Sequence, residues 1–252
     1  MPGVDAFIVL AGVFGSGLLG LSLRSVLPAR HLQDDSLGMV RLCTGVIATL
    51  AALVLGLLVA SAKTNYDRVN DEVTQAATSV VLLDRTLAQY GPQTKEARTL
   101  LHTAVASVAN TVFSEHGRGV ADLDDPIRSS AGDRLQAEIR KLTPEDDVQR
   151  TLQAHAMELS NEVAKMRLLT ITQAQGSIPG GFLLVLLLWL GIMFAGFGLV
   201  TAKNPTVVVM LFLAALSLAG AIFMIEELNR PLEGFLKISG APIQYALSHM
   251  GQ

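Results

Sequence analysis

Four stretches of this chain, residues 6–23, 42–62, 176–202 and 206–225, contain no Asp, Glu, Lys or Arg. A bilayer core of ~30 Å is crossed by about 20 apolar residues of helix. The last three stretches meet that length comfortably and the first is marginal. In lipid the backbone must satisfy its own hydrogen bonds, so each stretch is predicted to be an α-helix. Pro28, Pro179 and Pro205 fall at span edges, where a missing backbone donor is tolerated. A cleaved signal peptide is the competing reading of the first stretch. Asp5 precedes it with no Lys or Arg, and no small-x-small site stands before Leu27-Pro28, so a retained span is predicted.

The composition agrees: 50% of residues are hydrophobic and 16% charged, which is the membrane class. The net charge of −3 gives no reason to expect nucleic acid. Cys43 is the only cysteine, so neither an intramolecular disulfide nor a cysteine zinc site can form. Four spans place both termini and the central region on one side of the membrane. Lys63, Arg68, Lys165, Arg167, Arg230 and Lys237 flank the spans on that side, against Arg24, Arg30, Arg41 and Lys203 on the other. The excess predicts a cytoplasmic domain and termini.

The predicted organisation is a first membrane pair (1–62), an extramembrane helical domain (63–175), a second pair (176–228) and an amphipathic tail (229–252) that can lie on the interface. No glycine or proline stands between Gly56 and Gly91, so span two is predicted to run into the domain as one helix over about 37–90. Tyr66, Val69, Val73, Ala76, Val80, Leu83, Leu87 and Tyr90 form a heptad stripe on it, and Gly91-Pro92 ends it. A second helix is predicted over 94–113, with Ala97, Leu101, Ala104, Val105, Val108 and Val112 apolar. Residues 116–132 read as a loop, followed by a short helix at 135–142. Thr143-Pro144-Glu145-Asp146 then looks like a helix start, with Thr143 as cap and Pro144 in the first helical position. That helix carries Val148, Leu152, Leu159, Val163 and Met166 on one stripe. The fold class is therefore all-α: four transmembrane helices with an antiparallel helical bundle inserted between helices two and three.

Catalytic patterns are missing: there is no nucleotide-binding glycine loop, no His-Glu-x-x-His and no Gly-x-Ser-x-Gly. His31, His102, His116, His155 and His249 are scattered, and Asp122, Asp124 and Asp125 lack the spacing of an EF-hand. No enzyme, cofactor or metal site is expected. Span two is more informative. Gly45, Thr49, Ala52, Gly56 and Ala60 line one side at helical spacing, which permits close helix approach; Gly191, Ala195 and Gly198 form a shorter version in span three. Packing within one subunit is one reading. The other sets span two around an oligomer axis, with Thr49, Leu53 and Leu57 lining a pore, the two leucines as an apolar constriction, and Lys63 as a positive ring at its mouth. After span four, Glu226, Glu227, Asn229, Arg230 and Pro231 crowd charge at the membrane edge, with Glu226 and Arg230 at pairing distance on a helix.

Several motifs together resemble the bacterial bestrophin-like domain family. They are Leu27-Pro28 with His31-Leu32, the run from Ile47 to Leu58, Ala60-Ser61-Ala62-Lys63, Leu82-Leu83-Asp84-Arg85, Tyr90-Gly91-Pro92, and Glu227-Leu228-Asn229-Arg230-Pro231 through Gly234 to Ile238-Ser239. The likeness covers about 27–247. The resemblance implies a multi-pass protein of a bacterial inner membrane, a homo-oligomer (a pentamer by analogy with bestrophins) in contact with lipid, and an ion channel whose pore is lined by the second span. Anion conduction is one expectation; bestrophins of both selectivities exist. A non-conducting scaffold whose bundle binds a protein partner is the alternative. Two departures are visible. Asn229 stands where the family usually has Asp, and span two lacks the aromatic neck of a typical bestrophin.

Overall fold

The computed structural model describes residues 2–113, 126–174 and 180–251, and every regular element among them is helical. In chain order these are α1 (Pro2–Val26), a 3-10 turn (Ala29–His31), α2 (Asp34–Tyr90), a second 3-10 turn (Pro92–Thr94), α3 (Lys95–Thr111), α4 (Pro126–Lys141), α5 (Asp147–Ala174), α6 (Gly180–Val200), α7 (Pro205–Leu228) and α8 (Ala241–His249). Four of them are long and apolar enough to cross a membrane: α1, α2, α6 and α7. The chain is a multi-pass membrane protein with a helical region between spans two and three. It divides into a membrane unit (Met1–Thr64 and Ser177–Asn229) and a bundle unit (Asn65–Gly176 and Arg230–Gln252). The 57-residue α2 supplies a segment to each.

In the membrane unit, α1 packs on α6 and α7 around Val9, Val13, Leu186, Leu190, Phe194, Leu211, Ala215 and Ile222. Lipid offers no hydrophobic drive between apolar helices, so close van der Waals contact has to hold them. Small residues provide it. A Cβ at Gly20 would fall on the Ala195 carbonyl, and one at Gly198 on the Gly17 carbonyl, so the α1 and α6 backbones touch. Gly196 lies directly over Thr44 of α2. Arg24, in the last turn of α1, donates to the carbonyls of Leu199 (3.0 Å) and Val200 (2.6 Å), satisfying the C-terminal end of α6. α7 opens at Pro205, one of the prolines placed at a span edge. Asn204 caps it by accepting from the Thr206 N–H at 3.1 Å, with Pro205 in the first turn.

In the bundle unit the predicted heptad stripe becomes the core. Val69, Val73, Val80, Leu83, Leu87 and Tyr90 are buried, and Ala77 takes the fully buried place where Ala76 was expected. Val73, Ala77, Val80, Leu83 and Leu87 pack with Ala97, Leu101 and Val105 of α3, Leu135 and Ile139 of α4, and Ala156 and Leu159 of α5, while Val69 packs with Val112, Ile171, Leu232 and Ile238. Each such Leu or Val contributes roughly 1.5–3 kcal/mol through burial. Gly91 ends α2 at φ 128°, a backbone region that only glycine enters without strain. Thr94 then turns its hydroxyl to the Leu87 carbonyl at 2.5 Å.

Three expectations are corrected here. α4 begins at Pro126, so 126–132 is helical and not loop; His116 and Asp122, Asp124 and Asp125 lie outside the described residues. α5 starts at Asp147 and not at Pro144. Asp146 is the cap, accepting from the Gln149 N–H at 2.6 Å, while Gln149 Oε1 accepts from the Glu145 N–H at 2.8 Å. This reciprocal pair satisfies two end donors at once, which Thr143 does not do, and it leaves Val148 66% exposed. Finally, the tail expected at the interface folds into the bundle: Ile243, Ala246 and Met250 are buried in its core, so its apolar face meets protein.

Candidate functional site

The membrane segment of α2 has two unlike sides. Thr44, Ala51 and Ala62 are buried, with Ile47, Val54, Leu55 and Leu58 half-buried beside them. At helical spacing the candidate residues fall opposite. Gly45, Thr49, Ala52, Gly56, Ala60 and Lys63 are exposed, as are Leu53 (71%) and Leu57 (68%). A Cβ at Gly45 or Gly56 would meet nothing within 4 Å. Gly45 and Gly56 therefore make no close approach among the described residues, whereas Gly20 of α1 and Gly198 of α6 do. Span two is the least covered of the four: 11% of its most apolar window is buried, against 28% in each of the others. Thr49 turns its hydroxyl inward to the Gly45 carbonyl at 3.0 Å, so this side presents small, apolar surface with no unsatisfied polar group at that position.

At the other end of the membrane unit, Glu226 and Glu227 stand in the last turn of α7, half-buried and 2% exposed respectively. Asn229 closes the helix, its Nδ2 donating to the Ile225 carbonyl at 2.8 Å. An ionised Asp could not make that bond, which gives the departure at this position a physical role: a carboxamide donor where a carboxylate would repel the carbonyl. Since α7 ends at Leu228, Arg230 lies off the helix and is exposed, so the helical Glu226–Arg230 spacing no longer applies. Pro231 is buried and its carbonyl accepts from the Ile238 N–H at 2.7 Å, closing a loop whose turn uses Gly234 at φ 80°.

The bundle has its own polar centre. Asp84 of α2 is 3% exposed and is held in a bidentate pair by Arg98 of α3, Nε to Oδ1 at 2.8 Å and Nη2 to Oδ2 at 3.0 Å. The Gly251 N–H, just past α8, donates to the same Oδ2 at 2.9 Å. Burial alone would push the Asp84 carboxyl up. The hydrogen bonds from Arg98 and Gly251, with the charges of Arg98 and His102, outweigh it and hold Asp84 below its ordinary value of 3.8. Arg98 is raised in turn by its bond to Asp84. Tyr90 is pushed up, first by burial and then by Glu145 and Asp146. Two further polar contacts join α2 to α5: Glu72 accepts from Gln173 Nε2 at 2.6 Å, and Ser79 donates to Glu162 at 3.1 Å. No group of three or more metal-ligating side chains occurs among the described residues.

The Bestrophin-like domain matches residues 11–243. The chain belongs to the bestrophin-like family. No curated protein and no solved structure matches it. Within this bestrophin-like chain, three of the motifs that carry the likeness have a visible structural role: Leu82–Arg85 holds the Asp84 pair, Tyr90-Gly91-Pro92 ends α2, and the segment from Glu227 to Ser239 ends α7 and builds the loop into α8. Arg98 and Gly251 complete the Asp84 centre and escaped the sequence reading. Their partner is 14 residues away in one case and 167 in the other, and no periodicity joins them. Arg24 escaped too, because a basic residue at a span end reads first as a topology signal.

Proposed function

We propose that the protein is an oligomeric ion channel whose subunits meet along the uncovered side of α2, with that helix around the axis. The observation that carries this reading is the bareness of span two beside the other spans, on a helix whose open side carries Gly45, Ala52, Gly56 and Ala60. Small residues allow neighbouring helices to approach closely. Leu53 and Leu57 then narrow the pore as an apolar constriction that gates by dewetting, Thr49 lies one turn deeper, and Lys63 rings the mouth and favours anions. Five subunits follow the bestrophin analogy. The bundle and both termini face the cytoplasm of a bacterial cell.

Purified protein in planar bilayers tests the proposal. Single-channel current from intact oligomers is the expected result, with the reversal potential in a chloride gradient displaced by Lys63→Glu. Intact oligomers that carry no current above the bare bilayer would sink the channel, and an unmoved reversal potential would take Lys63 out of the pore. The scaffold reading loses the feature that motivated it. The heptad stripe from Tyr66 to Tyr90 is used in the chain's own core and offers a partner little surface.

A further inference from the structure

Where α2 ends and α3 begins, the bundle carries an open cavity of about 640 Å³, within the 300–1,000 Å³ span of small-molecule sites. Asp84, Pro92, Lys95, Arg98, His102 and Met250 are among its lining residues. Among the described lining residues Asp84 is the one carboxylate, and both its oxygens are engaged by Arg98 and Gly251, so it is already neutralised. That pair uses the Nε and one Nη2 hydrogen of Arg98. It locks the guanidinium and leaves the Nη1 donors for another acceptor. Lys95 and His102 flank Arg98 on α3, three residues before it and four after, and Lys95 makes no ion pair among the described residues. Lys95 is also the first residue of α3, at the positive end of that helix's dipole. Pro92 and Met250 supply an apolar surface for the ligand's body.

We propose that this cavity binds a soluble small-molecule oxyanion, phosphate- or carboxylate-bearing and up to nucleotide size, with Arg98 and Lys95 on the anionic group. The site lies wholly within the bundle and does not depend on the protein being a channel.

The full chain in phosphatidylcholine nanodiscs, titrated calorimetrically with inorganic phosphate, citrate, AMP and adenosine, tests it. Saturable binding of at least one anion, with none of adenosine, is expected. Lys95→Glu should weaken that binding by about tenfold or more, the size of one lost charge-assisted contact. An acid in the first turn of α3 suits the helix dipole, so the loss would not reflect a damaged fold. His102→Gln, at an exposed position, provides the second variant. Absence of binding by all three anions up to about 10 mM overturns the proposal, as does binding that neither variant weakens. Nanodiscs containing phosphatidylglycerol separate the two sources of such an anion. A free ligand binds equally in both membranes, whereas displacement of the probe by phosphatidylglycerol would assign the cavity to a lipid headgroup and overturn the soluble ligand.

Discussion

The two segments of α2 follow opposite rules. From Asn65 to Tyr90 a heptad stripe of valine and leucine is buried almost completely; through the membrane segment large apolar side chains such as Leu42, Leu53 and Leu57 stand exposed. Water penalises exposed apolar surface and lipid does not. In the bundle, side-chain size therefore predicts burial. In the membrane unit large side chains are found both buried and exposed, and the closest contacts belong to glycine, because only glycine lets the α1 and α6 backbones touch.

Substitutions can break that contrast. The largest effect is expected for Gly20→Leu or Gly198→Leu. Each drives a side chain into a neighbouring backbone carbonyl that cannot swing away, at a cost of about 3 kcal/mol or more. Size-exclusion chromatography in detergent should show little monodisperse protein, and a wild-type profile would refute the close α1–α6 contact. Leu83→Ala should cost about 2–5 kcal/mol by cavity formation, while Leu57→Ala, on the open side of the same helix, should move the melting temperature of the isolated protomer by little. Equal losses at the two sites would erase the distinction between the segments.

Asp84→Asn should cost about 2 kcal/mol, less than a fully buried pair because Arg98 keeps 28% of its side-chain exposure. The effect has a pH signature. A folded-state pKa held below 3.8 means that the charged pair contributes fully above that value and is lost as pH falls through the lowered one. The stability gap between wild type and Asp84→Asn, followed by circular dichroism, should thus persist near neutrality and close in strong acid. A gap that widened on acidification would contradict the assignment. Asp146→Ala, which removes the α5 cap, is worth about 1 kcal/mol in thermal unfolding, whereas Thr143→Ala should leave it unchanged. The smallest effect belongs to Gly45→Ala and Gly56→Ala, within roughly 0.5 kcal/mol for the protomer since the added methyl meets nothing. If the open side of α2 is the subunit interface, crosslinking should nonetheless show their oligomers weakened.

The spans, the continuous α2, its stop at Gly91-Pro92 and the edge of span four at Pro205 were legible because each depends on residues a few positions apart: absence of charge, absence of helix breakers, a proline at a boundary. The same local logic placed the buried stripes of α2 and α3. It chose the wrong cap for α5, since Thr143 and Asp146 are both competent and only the return bond of Gln149 decides between them. It also set the tail at the interface, because an amphipathic helix looks alike whether its apolar face meets lipid or protein.

By itself the sequence determined how many times the chain can cross a membrane, where its helices stop and which family it resembles, for those properties are written in local composition and short spacings. Only the tertiary structure decided which glycines carry the helix packing, that α8 belongs to the bundle core, and that Asp84, Arg98 and Gly251 form one centre. Those outcomes depend on which surfaces meet, and residues 14 and 167 positions from Asp84 meet it through packing that no local pattern records.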